Sequence, residues 1–298
     1  MRSALLFVTA ASLMTAAPRV DNVLLKMVPP GTRSLVGARM DVLKTTDFYR
    51  KMVAARKLPQ IDKFAEESGF DPRRDVRELV YAEAPEGSVL LARGNFRVNE
   101  ALLKNGKTTR HGRYQIVGQG TSGVCILDPT LAAAGEIPAI EAALDEWTSG
   151  QHTAAQPLLA RLKAVDERSQ LWGFSQGAAG FLANNIPNTN SGIDFSKIFR
   201  GLDDTWFQAD FSMGLRAEVH GTTATEKDAL NLKDAVKGLV GLGRLYTPDQ
   251  QPELIKLWDG ILVEQVNRSI VIRADIAQDL IERLIQMLSS TPRPSTRI

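Results

Sequence analysis

Apolar and polar side chains alternate over residues 206–211 and again over residues 215–220. A period of two with one apolar face predicts half-buried β-strands. Residues 212–214 separate the two segments and favour a tight turn, because Gly214 can adopt positive φ. Residues 225–242 then predict a helix whose N-cap is Thr225. This stretch is therefore predicted to be a β-hairpin followed by a helix.

The same order of patterns recurs along the chain. Single strands are predicted at 34–40 and 170–175, and hairpin–helix units begin near residues 79, 114, 205 and 260. The pattern therefore predicts a tandem duplication of strand, hairpin–helix and hairpin–helix. The expected fold class is α+β, with two similar halves over residues 18–150 and 151–288. In each half a mainly antiparallel sheet of hairpin–helix units is expected to have its helices on one face.

The two ends of the chain differ in composition from the rest of the sequence. Arg2 precedes an apolar run at 4–14, and small residues follow at 15–17. This order is typical of a secretory signal peptide, predicted here over residues 1–17, and the run is too short to span a bilayer. We therefore expect an exported protein, periplasmic or extracellular, without a transmembrane segment in the mature chain. Residues 289–298 are rich in Pro, Ser, Thr and Arg and are predicted to be disordered.

Residues 69–77 have the sequence Gly-Phe-Asp-Pro-Arg-Arg-Asp-Val-Arg and precede a predicted hairpin. They resemble a stretch found in uncharacterised, predicted-exported bacterial proteins, where it likewise precedes a hairpin. The resemblance concerns about the first half of the chain. It implies an exported location and assigns no catalytic residue.

Residues 173–177, Gly-Phe-Ser-Gln-Gly, match the G-x-S-x-G nucleophile elbow of serine hydrolases. The match resembles carboxylesterases over these residues alone. It implies Ser175 as nucleophile, with His220 as base and Asp194 as acid, or Asp203 or Asp204 in place of Asp194.

Three features of the surrounding sequence count against a nucleophile elbow. The charged residues 166–168 leave little of the buried apolar strand that should precede it. Glycine, asparagine and proline at 180–187 interrupt the helix that should follow it, and the predicted paired strands do not fit a hydrolase sheet. The leading hypothesis is therefore an exported non-catalytic protein, binding or structural, and the alternative is a serine hydrolase using Ser175. If Ser175 lies at a plain strand end, Ser175→Ala is expected to change stability by less than about 0.5 kcal/mol.

Other candidate chemistry is weaker. Residues 118–123 fit G-x-G-x-x-G, but a strand follows them where a dinucleotide site needs a helix, so a hairpin loop is predicted and no cofactor is expected. The chain has 36 Lys and Arg against 34 Asp and Glu, which does not favour nucleic-acid binding. Cys125 is predicted to be a small buried residue. The histidines are too widely spaced for a metal motif; they are His111, His152 and His220. A group of basic residues is predicted to be a solvated loop and consists of Lys104, Lys107, Arg110, His111 and Arg113.

Overall fold

The computed structural model describes residues 21–51, 62, 71–96, 106–150, 160–177, 201–248 and 250–283. Within these residues twelve β-strands form one sheet in which every neighbouring pair is antiparallel. The strands are β1 (Ser34–Ala38), β2 (Val76–Ala84), β3 (Gly87–Gly94), β4 (Lys107–His111), β5 (Tyr114–Gln119), β6 (Ser122–Asp128), β7 (Leu131–Glu136), β8 (Leu171–Gln176), β9 (Leu202–Asp210), β10 (Gly214–Thr223), β11 (Ile261–Val266) and β12 (Ser269–Ala277).

Several helices accompany the sheet. They are α1 (Asn22–Leu25), α2 (Met40–Leu43), α3 (Asp47–Tyr49), α4 (Pro72–Asp75), α5 (Ile137–Ser149), α6 (Glu226–Leu245) and α7 (Pro252–Asp259), with a 3-10 turn at Leu162–Ala164. The predicted α+β class with a mainly antiparallel sheet is confirmed. The predicted signal peptide at 1–17 and the predicted disordered tail at 289–298 lie outside the described residues.

The two halves share one sheet, because β1 pairs with β8 from Ser34 opposite Ser175 to Ala38 opposite Leu171. The full order is β11-β12-β10-β9-β8-β1-β2-β3-β7-β6-β5-β4. Outward from the β1–β8 pair, the first half has the hairpin β2–β3 and then the hairpin β6–β7. The second half has β9–β10 and then β11–β12, in the matching order. The first half adds the pair β5 and β4 at its end. That the halves arose by duplication stays a prediction.

The front face of the sheet is defined here as the face on which Leu35, Val80, Leu91, Trp172 and Phe174 lie. These side chains belong to the largest core cluster, which also includes residues of α1 and α5. The opposite, back face carries Ile270, which packs against Leu232 and Val236 of α6. Side chains that are paired across antiparallel strands lie on the same face, so the strand register assigns each residue to one of the two.

The first half has helices on both faces, where the sequence predicted one. Helices α1 and α5 cover the front, whereas Met40 of α2 packs on the back against Val76 and Ala92. The physical reason is that strand β3 is apolar on both faces, with Leu91 on the front and Ala92 on the back. Strands that are buried on both faces require cover on both.

The predicted turns are confirmed, but two strands were missed. The G-x-G-x-x-G segment is the hairpin turn between β5 and β6, with Gln119 paired to Ser122 and Gly120 at φ +65°. The predicted basic loop was wrong for residues 107–111, because they form the edge strand β4. Strand β7 was not predicted, since its alanines give no contrast between faces.

Candidate functional site

The G-x-S-x-G segment is the end of strand β8 and not a nucleophile elbow. Gly173 leaves room for the Phe207 ring, since a Cβ there would lie 2.3 Å from Phe207 Cε1. Phe174 is buried in the front core. Gly177 follows the strand with φ +84°, a conformation that favours glycine. Packing and a turn therefore account for the glycines of the motif.

Ser175 is buried on the back face, with 1% of its surface exposed. Its Oγ lies 2.9 Å from Ser34 Oγ on the neighbouring strand. Thr205 lies opposite Ser175 in the register, and its Oγ1 is buried without a hydrogen-bond partner among the described residues. Because Ser175 is buried and hydrogen-bonded, Ser175→Ala is now expected to cost about 1 kcal/mol, more than the sequence predicted.

His220 lies on the other face from Ser175. The register aligns Ser175 with Thr205 and Gly221, so the adjacent His220 points to the front. There its ring stacks on Trp206 with centroids 4.0 Å apart and planes 13° apart. Its Nε2 lies 2.9 Å from Glu218 Oε1. The structure therefore does not bring His220 to the Ser175 hydroxyl.

Of the other candidates for the triad, Asp204 and His111 have partners other than Ser175 and His220. Asp194 and His152 lie outside the described residues. Asp204 forms an ion pair with Arg161. His111 lies on the edge strand β4, where its Nε2 is 2.6 Å from Asp145 Oδ1.

A cavity of about 270 Å³ lies at the edge of the sheet where strands β8 and β2 end and β1 begins. Two exposed, oppositely charged side chains border it, Arg33 and Glu83. The backbone N–H of Arg33 donates to the carbonyl of Glu83 over 2.8 Å, yet within the described part of the chain their side chains form no ion pair. The cavity is lined by Arg33, Ser34, Glu83, Ala84, Pro85, Ser175 and Gln176.

A second cavity of about 470 Å³ lies on the front face around His220 and Val271. Arg273, which also lines it, donates to Glu218 over 3.1 Å and forms a second ion pair with Glu264. These carboxylates already neutralise the Arg273 charge. The cavity at the ends of β8, β1 and β2 is therefore the better candidate for a charged ligand.

Local sequence signals did not identify this candidate site. Ser34 and Ser175 are 141 residues apart, and only the pairing of β1 with β8 brings them together. Arg33 and Glu83 belong to no motif. The one available signal was polar residues inside otherwise apolar strands, at Ser34 and Thr205.

The described residues give little support for a metal centre or a reactive thiol. They include no group of three or more His, Cys, Asp or Glu side chains that could hold a metal ion. Cys125 is fully buried, and burial raises the pKa of its thiol to about 11, so the nucleophilic thiolate is scarce at neutral pH. None of the described helices is long and apolar enough to cross a membrane.

No family model and no curated protein sequence matches this chain. Among solved structures, crystal form III of TP0453 is similar with a TM-score of 0.51 and 11% identity, covering 90% of this chain and 98% of that one. Crystal form I has a TM-score of 0.48 and 10% identity, covering 89% and 96%. At these identities the likeness to form III concerns the fold alone and assigns no activity.

Proposed function

We propose that this is an exported, non-catalytic binding protein. The observation that carries the proposal is the environment of the Ser175 hydroxyl. It is buried, it is hydrogen-bonded to Ser34, and it lies on the face opposite His220. A nucleophilic serine needs a general base within hydrogen-bond reach, and His220 cannot supply one there.

The backbone N–H groups of Gln176 and Gly177 are not free to form an oxyanion hole beside Ser175. In the nucleophile elbow the N–H of the residue after serine forms part of the oxyanion hole. Here the N–H of Gln176 donates to the carbonyl of Arg33 over 2.8 Å, and that of Gly177 to the carbonyl of Asp203 over 2.7 Å. Both donors are hydrogen-bonded within the protein, which supports a non-catalytic role for Ser175.

Labelling with a fluorophosphonate probe tests the non-catalytic proposal. The wild-type protein is expected to remain unlabelled, and its trace esterase rate should equal that of Ser175→Ala. Ser269→Ala is a matched control, because Ser269 also lies in a strand and its Oγ is 3.2 Å from Thr222 Oγ1. Labelling that Ser175→Ala abolishes and Ser269→Ala retains would refute the proposal.

Export is supported by the order of charged, apolar and small residues at the N-terminus. The full chain would be expressed in a bacterial host, the cells fractionated and the N-terminus of the product sequenced. We expect a product outside the cytoplasm that begins near residue 18. A cytoplasmic product that retains Met1 or Arg2 would contradict export.

A further inference from the structure

We propose that the cavity at the ends of β8, β1 and β2 binds a small zwitterion of the α-amino acid class. In this complex the ligand carboxylate meets Arg33 and the Ser34–Ser175 hydroxyl pair, and the ligand ammonium meets Glu83. This inference rests on the proposed binding function. It adds the ligand class and the position of the site.

The hydroxyl groups favour a ligand that accepts hydrogen bonds. Ser34, Ser175 and Thr205 lie side by side on the back face, and each has one O–H donor. The 2.9 Å contact between Ser34 and Ser175 uses one donor, and Thr205 Oγ1 has no partner among the described residues. Buried hydroxyls normally have partners. Both serines line the cavity, and the hydroxyl that does not donate within the pair has no acceptor among the described residues.

The charged groups favour a ligand that carries both signs. Arg33 and Glu83 are backbone neighbours, and both border the cavity. Among the described residues neither side chain forms an ion pair, so both can pair with a charged ligand. A guanidinium forms its strongest hydrogen bonds with a carboxylate, and a carboxylate forms its strongest with a cationic donor. A molecule with an ammonium and a carboxylate satisfies both residues at once.

The size of the cavity limits the ligand. A volume of about 270 Å³ lies below the roughly 300–1,000 Å³ typical of sites for drug-sized molecules. A single amino acid fits this limit better than a peptide or a nucleotide. The cavity also lies where the two halves meet, so residues from both halves contribute to the site.

Calorimetric titration with L-alanine tests the inference. Propionate, which lacks the amine, and ethylamine, which lacks the carboxylate, serve as comparison ligands. The variants Arg33→Gln and Glu83→Gln each remove one charge. Arg110→Gln and Glu226→Gln remove the same charges at exposed positions that do not line the cavity. All four positions are exposed, so each variant is expected to fold, and circular dichroism checks this.

We expect saturable binding of L-alanine at millimolar concentrations or below, and weaker binding of propionate and ethylamine. Each of Arg33→Gln and Glu83→Gln should weaken L-alanine binding roughly ten- to a hundredfold, as for the loss of one charge-assisted hydrogen bond. The Glu83→Gln variant should also bind L-alanine no more tightly than it binds propionate. The two control variants should bind L-alanine as the wild type does.

The ligand assignment is overturned if wild-type protein shows no saturable binding of L-alanine. It is also overturned if Arg33→Gln and Glu83→Gln bind L-alanine like the controls. Either result leaves the non-catalytic proposal standing, because that proposal depends on labelling of Ser175. Conversely, NMR signals of a new product after incubation with L-alanine would refute the non-catalytic proposal.

Discussion

Gly37 provides a direct test of how the two halves are joined. It lies in β1 opposite Trp172 of β8, and the indole of Trp172 covers it on the front face. A Cβ at residue 37 would lie 2.0 Å from Trp172 Cζ2 and 2.1 Å from Trp172 Cε2. Trp172 is only 1% exposed and packs in the main core, so the indole has no free space to move into. We therefore expect Gly37→Ala to disrupt the β1–β8 joint.

The expected loss is the difference between two effects. Replacing glycine by alanine in a strand gains about 0.5–1 kcal/mol, because the unfolded chain loses freedom. Overpacking a core typically costs about 1–3 kcal/mol and occasionally more. Because the overlap falls on a rigid ring, we expect an overpacking cost of about 3–4 kcal/mol, which leaves a net loss of about 2–3 kcal/mol. With about 2–4 °C per kcal/mol for a large chain, Tm should fall by roughly 4–12 °C.

Urea unfolding followed by circular dichroism measures this loss. Gly238→Ala is the matched control, because an added Cβ there meets nothing within 4 Å and the residue lies inside helix α6. It should raise stability by about 0.5–1 kcal/mol. Adding Trp172→Phe should recover part of the loss in Gly37→Ala, since a smaller ring vacates the space. The packing argument is refuted if Gly37→Ala unfolds within about 0.5 kcal/mol of wild type.

Three further predictions concern titration, thiol reactivity and helix capping. Burial raises the pKa of the Glu78 carboxyl from 4.5 to about 7. The folded protein therefore binds the carboxyl proton more tightly than the unfolded chain, and the free energy of unfolding falls as pH rises from about 4.5 to about 7. Glu78→Gln should reduce this loss of stability, measured as the urea unfolding midpoint from pH 4 to pH 8. An unchanged pH profile in Glu78→Gln would contradict the assignment of the loss to Glu78. Cys125 should resist iodoacetamide at pH 8 and react once urea unfolds the protein, because its thiol is buried; fast alkylation of native protein would be inconsistent with this burial. Thr225→Ala should lower stability by about 1 kcal/mol, because it removes the acceptor for the Asp228 N–H. Thr225→Ser keeps a hydroxyl acceptor and should retain most of the wild-type stability. Equal losses in both variants would show that the cap is not the cause.

Local patterns predicted local structure well. The hairpins β9–β10 and β11–β12 follow from alternation and from turn residues such as Gly214 and Asn267, both of which have positive φ. Helix α6 begins after Thr225 as predicted. These features depend on side-chain period and turn chemistry within about ten residues of chain.

Predictions failed where local contrast was missing. Strand β4 has the sequence Lys-Thr-Thr-Arg-His, for which the pattern predicts a loop, because a polar edge strand shows no apolar face. The alanines of β7 are apolar but small, so they gave no alternation either. The candidate cavity was also missed, because Arg33 and Glu83 become neighbours only through the sheet.

The sequence by itself determined the α+β class, most of the hairpins and the order in which they occur along the chain. Only the tertiary structure decided that β1 pairs with β8, which unites the halves in one sheet. That pairing places Ser175 beside Ser34, and the strand register directs His220 to the other face. The physical reason is that side-chain alternation specifies which residues share a face of a strand, whereas backbone pairing between distant strands specifies which residues become neighbours.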